Sequence, residues 1–133
     1  MAGIVLDSSV AMAWVLEEQS VLANRAVEMA FESVAHLPTI WAYEVQNVLT
    51  IATRRGRLTL DDAREACDVL ATIPARMHEP HSLGREFALA TPSGLTAYDA
   101  AYLCVARDLQ TPLATLDRTL REAAHALGIR LFE

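Results

Sequence analysis

The sequence predicts an α/β fold in which a short, mostly parallel sheet carries helices on both faces. Three observations lead there. Short apolar runs of strand length alternate with longer stretches of helical period, the pattern of strand–helix–strand units. Two of those runs, Gly3 to Leu6 and Pro112 to Leu116, end directly on an aspartate that opens a helical stretch, Asp7 and Asp117. A chain of 133 residues, 53% apolar, is large enough to bury a real core without disulfides or metals as staples. One domain, residues 1–133, is therefore expected.

Along the chain, Gly3 to Leu6 reads as a buried strand. Ser8 to Glu18 follows as a helix with Val10, Met12, Ala13, Trp14 and Leu16 apolar. Ser20 caps a second helix to about Glu32, whose Val21, Leu22, Ala26, Val27 and Ala30 form a wide apolar stripe. Val34 to Leu37 reads as a second strand. Pro38 and Thr39 then punctuate before a helix from Ile40 to about Arg55, ended by Gly56. Thr59 and Asp62 form a capping box for a helix to about Ile73, which Pro74 stops. Arg76 to Glu79 is a weak strand signal. A helix from His81 to Ala90 is expected to break at the loop Thr91, Pro92, Ser93, Gly94. Thr96 caps a helix to about Asp108, and strand Pro112 to Leu116, helix Arg118 to Leu127 and a terminal strand Ile129 to Phe132 complete the order. Helices outweigh strands, with about half or more of the residues helical against the usual third.

Composition narrows the function. All eleven basic residues are arginine. Without lysine there is no phosphate-binding loop ending in Lys and Ser or Thr, and no Schiff-base chemistry. A net charge of −6 opposes broad, nonspecific nucleic-acid binding, so any such contact must be local. Apolar runs are cut by Glu17, Arg25, Glu28 or Glu44 before the roughly 18 residues that a membrane helix needs. No basic segment precedes the first apolar run either, so neither a membrane span nor a signal peptide is expected, and a cytoplasmic location is the default. Cys67 and Cys104 lie in helical patterns without metal-ligand spacing and read as reduced core or near-core thiols.

The chemistry rests on four acids far apart in sequence, Asp7, Glu44, Asp99 and Asp117, each near the start of a helical stretch. In an α/β sheet such positions converge outside the carboxyl ends of the strands, where ligands bind. Each has an ordinary reading too. Asp7 and Asp117 could be N-caps, and Asp99, three residues after Thr96, could close a capping box. Glu44 is harder to explain in this way, because Ile40, Trp41, Val45, Val48 and Leu49 surround it, and Asp99 has Tyr98, Ala100, Ala101, Tyr102 and Leu103. A carboxylate beside a core-facing stripe is costly without a partner. A hard divalent cation such as Mg²⁺ supplies one, and its open positions suit a phosphate oxygen and an attacking water. On spacing alone, a shared metal site and separate structural caps both stand.

The four segments Ile4-Val5-Leu6-Asp7-Ser8-Ser9, Trp41-Ala42-Tyr43-Glu44-Val45-Gln46-Asn47, Thr96-Ala97-Tyr98-Asp99-Ala100-Ala101-Tyr102 and Leu113-Ala114-Thr115-Leu116-Asp117 resemble the PIN-domain family, and most closely its VapC-type toxin ribonucleases. Their order and spacing span nearly the whole chain. The resemblance implies a three-layer α/β/α fold and an acidic pocket that binds Mg²⁺, with Mn²⁺ as substitute. It also implies cleavage of single-stranded RNA to 5′-phosphate and 3′-hydroxyl ends. By position it makes Asp7, Glu44, Asp99 and Asp117 metal ligands and catalytic residues, with Ser9 and Thr115 orienting carboxylates or water behind them. It further implies a cognate antitoxin that occludes the pocket, and a homodimer. Arg118, directly after Asp117, departs from an all-acidic neighbourhood, so one firmly held metal and a second that enters with substrate are expected.

Arg54, Arg55 and Arg57 form the densest basic cluster. It reads either as a solvated helix end, where arginine suits the dipole, or as a clamp on RNA phosphates; Arg118 is a further candidate. Trp14 and Trp41 are expected to pack in the core or at a subunit contact, Tyr98 and Tyr102 in the core, and His36, His78, His81 and His125 on the surface or in loops. Three rival functions remain: a catalytically weak PIN-like binding module, an RNA-processing nuclease that is not a toxin, and an aspartate-based phosphatase with Asp7 as nucleophile. The last lacks both a second acid two residues on, where Ser9 stands, and a lysine for phosphate.

Overall fold

The computed structural model describes residues 3–133. Its strands are β1 (Ile4–Leu6), β2 (Ala35–Pro38), β3 (Ala75–His78) and β4 (Leu113–Ala114). Its helices are α1 (Ser8–Val15), α2 (Val21–Glu32), α3 (Ile40–Arg54), α4 (Leu60–Leu70), α5 (Arg85–Ser93), α6 (Ala97–Leu109) and α7 (Arg118–Ala126). The four strands pair in parallel in the order β3-β2-β1-β4. The chain therefore steps outward from β1 through β2 to β3, then returns across the sheet to the far side of β1.

This path fixes the layers. Right-handed crossovers place α1 to α4 over one face, and the reversal of direction places α5 and α6 over the other. α2 and α3 pack against β1 and β2, and α6 packs against β1, β2 and β4. Crossover helices run antiparallel to the strands, so α1, α3, α6 and α7 all start at the carboxyl edge of the sheet. The strand order reverses between β1 and β4, and that switch point opens the crevice in which α/β sheets bind ligands. Asp7 and Asp117 follow the two strands that flank it.

The core is aliphatic and small-residue rich. Ile4, Val5 and Leu6 are fully buried and meet Val10, Val27, Leu37, Leu103, Leu113 and Leu120. At the entry to β1 only a glycine fits, because a Cβ on Gly3 would lie 2.6 Å from the Val34 carbonyl oxygen and 2.7 Å from the His36 ring. The predicted caps form: the Ser20, Thr59 and Thr96 hydroxyls accept from the amides of Ala23, Asp62 and Asp99.

Five expectations need correction. α1 stops at Val15 instead of Glu18, because Glu17 turns left-handed (φ 57°) and the Glu18 amide closes back on the Ala13 carbonyl, a helix-ending loop made without glycine. α5 runs through Thr91 and Pro92, where a loop was expected. Pro92 falls in the last turn, where few helix bonds remain to lose, and the stop is supplied by Gly94 at φ 70°. The terminal strand shrinks to one bridge, Leu131 beside Leu113. His36 and His78, expected on the surface or in loops, sit on paired strands with Nδ1 of one 2.9 Å from Nε2 of the other. Both cysteines are free, Cys104 buried as expected but Cys67, expected in or near the core, exposed on α4. No helix among the described residues is long and apolar enough to cross a membrane.

Candidate active site

Asp7 occupies the N-cap position of α1, yet its side chain does not cap the helix. It is buried, with 5% of its surface exposed. Oδ2 accepts two hydroxyl hydrogen bonds, from Ser9 Oγ and from Thr115 Oγ1, each 2.7 Å. Each hydroxyl spends its only proton on the carboxylate and accepts a backbone amide behind it: Leu116 N donates to Ser9 Oγ at 3.1 Å, and Asp117 N donates to Thr115 Oγ1 at 3.0 Å. The turn after β4 is thereby tied to the turn after β1. The Thr115 carbonyl is held in turn by Arg121 Nη1 at 3.1 Å. Ser9 and Thr115 thus lie against Asp7, and the Ser8 backbone amide adds a further hydrogen bond to its carboxylate.

Glu44 sits in the second turn of α3, half-buried, and Tyr102 Oη donates to its Oε1 in a short hydrogen bond. Tyr102 is fully buried on α6, so the core fastens Glu44 from the opposite layer. Spacing alone gave no role to Tyr102, although it stands three residues after Asp99 and shares its helix face. Asp99 is half-buried in the first turn of α6. Its amide is capped by Thr96, but its carboxylate makes no hydrogen bond or ion pair among the described residues, so of the capping box that was one reading of this acid only the Thr96 half forms. Tyr98, expected in the core, is exposed.

Asp7 and Glu44 are both perturbed from their ordinary proton affinities. Burial raises the proton affinity of Asp7, the Ser9 and Thr115 hydroxyls oppose that rise, and the Asp99 charge adds to it. Glu44 is raised by burial first, lowered by the Tyr102 hydroxyl, and raised again by Asp7 and Asp99. The same burial and the adjacent Glu44 push the Tyr102 hydroxyl well above its ordinary value, so it stays a donor.

Asp117 behaves differently. It is exposed, and its Oδ1 accepts from the Leu120 amide at 3.1 Å, an ordinary N-cap of α7. Arg118 does not neutralise it, because that side chain is 92% exposed and turns to Glu122 at 3.2 Å. Arg54, Arg55 and Arg57 lie exposed at the C-terminal end of α3, ten residues and about 15 Å along the axis from Glu44. The structure does not bring them to the acids.

Asp7, Glu44, Asp99 and Asp117 take part in no ion pair among the described residues. An all-oxygen, uncompensated anionic set is the donor chemistry of Mg²⁺ or Mn²⁺. The carboxylates do not yet converge, since no three His, Cys, Asp or Glu side chains among the described residues are grouped to hold one ion. Glu44 is turned to Tyr102, and Asp117 to the amide of its own helix.

The chain is similar to known proteins in sequence and in fold. Residues 4–126 match the family described as PIN domain. Ribonuclease VapC3 of Pyrobaculum aerophilum is 39% identical over 128 residues, 93% of this chain and 96% of that protein. In three dimensions, the crystal structure of PAE2754 from Pyrobaculum aerophilum superposes with a TM-score of 0.70 at 24% identity, covering 92% of this chain and 79% of that one. FitAcB from Neisseria gonorrhoeae gives 0.64 at 17% identity, with coverage of 98% and 96%. At these identities the two structures speak for the fold.

Proposed function

The chain belongs to the PIN-domain family, and from that premise we propose that it is a divalent-metal-dependent endoribonuclease, the toxin of a toxin–antitoxin pair. The observation that carries the reading is Asp7: a buried carboxylate, raised in proton affinity, held by two hydroxyls and facing Glu44 and Asp99 without any cationic side chain. Such a group is costly unless a cation is part of its working state. The name of the relative, a ribonuclease, supports the substrate class.

In this reading Asp7, Glu44 and Asp99 would hold Mg²⁺, or Mn²⁺ in its place, and Asp117 would leave its cap only for a second cation that enters with substrate. The ion, when bound, supplies activation of water at neutral pH and neutralisation of phosphate charge. The chain does the rest. Ser9 and Thr115 fix the Asp7 rotamer, and Tyr102 sets the orientation of Glu44 from inside the core. In this reading a single strand lies across the carboxyl ends of β1 and β4, with a phosphodiester against the acids.

The antitoxin has a surface to occupy. A hollow of about 650 Å³ opens beside Trp14 and Val15 of α1 and Val69 of α4, with Glu17, Glu18 and Glu65 at its rim. Apolar floor and acidic rim suit an apolar segment with flanking basic residues. A homodimer is part of the same proposal.

The test is cleavage of single-stranded RNA with Mg²⁺, with chelator, and by Asp7→Asn or Asp99→Asn. Metal-dependent cleavage lost in the variants is expected, and cleavage retained in all three conditions overturns the reading. One observation favours a second reading, a binding module: the acids are not grouped around one point. Mn²⁺ titration separates the two, because saturable binding that Asp7→Asn removes belongs to the nuclease alone.

A further inference from the structure

Glu44 and Asp99 are each directly preceded by an exposed tyrosine, Tyr43 at 70% and Tyr98 at 59% exposure. Both line a single hollow of about 410 Å³ that runs from the start of α3 along α6 from Ala97 to Leu109, and Phe87 of α5, itself 70% exposed, also lines it. Successive residues on a helix project about 100° apart, so while the acids face the crevice their neighbours face the ground beside it. The hollow does not contain the acids and adjoins two of them. Its walls are mostly apolar, with the Arg85–Asp108 pair (2.6 Å) and His78 at its polar side.

We infer that this hollow is a nucleobase subsite, in which Tyr43 and Tyr98 stack on an unpaired base next to the scissile phosphate. The inference deepens the ribonuclease reading and rests on it for the position of the phosphate. A single strand held at the acids must place its adjacent bases on one side or the other of the phosphate row. The tyrosines offer flat faces there, rigid because each is anchored in a helix start. Stacking on aromatic side chains is how unpaired bases are commonly bound, and it works for any base. The rival occupant is a second copy of the chain, which would cover Phe87 and Leu83. Continuity with the acids on two separate helices favours RNA.

The experiment measures binding of a fluorescently labelled single-stranded oligoribonucleotide to full-length Asp7→Asn protein, which leaves the strand intact. One nucleotide at a time is replaced by a stable abasic residue. Loss of one base position should weaken binding by about 5- to 150-fold, the usual strength of base–aromatic stacking. Adding Tyr43→Ala or Tyr98→Ala should weaken the intact strand similarly, while the strand lacking that base becomes indifferent to the tyrosine. Tyr43→Phe should restore binding. In wild-type cleavage assays the same substitutions should act on KM.

An equal loss on intact and abasic strands makes the tyrosines structural and overturns the subsite. So does a fall in sedimenting mass on Tyr43→Ala, which assigns the hollow to a second copy. If wild-type protein cleaves no RNA while the abasic scan still shows a tyrosine-dependent position, the hydrolytic reading fails and the subsite stands.

Discussion

The carboxyl ends of β1 and β4 carry the same local pattern, an apolar strand followed by an aspartate that starts a helix, and they use that aspartate in opposite ways. Asp7 is buried, does not cap its helix, and receives two hydroxyl protons. Asp117 is exposed and caps α7 through Leu120. The cause is position in the sheet. β1 is central, between β2 and β4, so its end is walled by neighbours on both sides. β4 lies toward the edge, flanked beyond by only the Leu131 bridge. A carboxylate walled in by protein cannot be satisfied by water and must be held by designed donors, whereas one at the rim can serve its own helix. The lesson is that desolvation, more than strand-end location, marks the acid around which a site is built.

The largest effect that would break this comparison is on catalysis. Asp7→Asn is expected to lower RNA cleavage by at least ~10³-fold, about 4 kcal/mol of transition-state stabilisation, and Asp117→Asn by roughly tenfold. Steady-state cleavage rates of the two variants measure the gap, and equal losses would erase the distinction drawn between them. Next come the supports. Thr115→Val and Ser9→Ala should each reduce cleavage by about 10- to 100-fold, as removal of a group behind a metal ligand usually does. The loss should appear together with weaker Mn²⁺ affinity in titration.

Stability should move in the other direction. The proton affinities of Asp7 and Glu44 are raised in the folded chain. Folding therefore favours their protonated forms, and this contribution is fully present below the unfolded carboxylate range. It is lost as pH rises through the raised folded values. Metal-free protein should lose thermal stability over that interval. Asp7→Asn keeps an acceptor for Ser9 and Thr115 without the buried charge, and should raise Tm at pH 7 by a few degrees, roughly 4 °C per kcal/mol. Melting curves at pH 4 and pH 7 check the sign, since the gain should vanish at the lower pH. The smallest effect belongs to the cap: Asp117→Ala should cost about 1 kcal/mol and Asp117→Ser should recover it. Cleavage that stays low in Asp117→Ser, despite restored stability, would show that its carboxylate also works in the site.

Local features were legible because local physics sets them. The hydroxyl caps at Ser20, Thr59 and Thr96, the apolar stripe of α2, and the strand–acid–helix step at Asp7 all follow from residues a few positions apart. That all four acids lie toward one edge of the sheet was also legible, because helix starts in a parallel sheet share that edge. What could not be read were pairings that depend on the opposite layer. Tyr102 looks like an ordinary apolar-face residue until α6 lies across the sheet from α3 and its hydroxyl reaches Glu44. His36 and His78 look like isolated imidazoles until β2 and β3 pair in register. Tyr98 was placed with the core by its spacing from Tyr102, yet one side of the helix faces protein and the other the open hollow. Pro92 failed as a stop signal because a proline near the end of a helix has few bonds left to break.

By itself the sequence determined the alternation of elements, the parallel sheet, and the candidate acids, since periodicity, caps and strand-ending acids are properties of neighbouring residues. Only the tertiary structure decided which acid is buried, which donors hold it, and which aromatics remain uncovered. The reason is that burial and hydrogen-bond partnership come from segments distant in the chain, and a carboxylate's energy depends on what replaces the water around it.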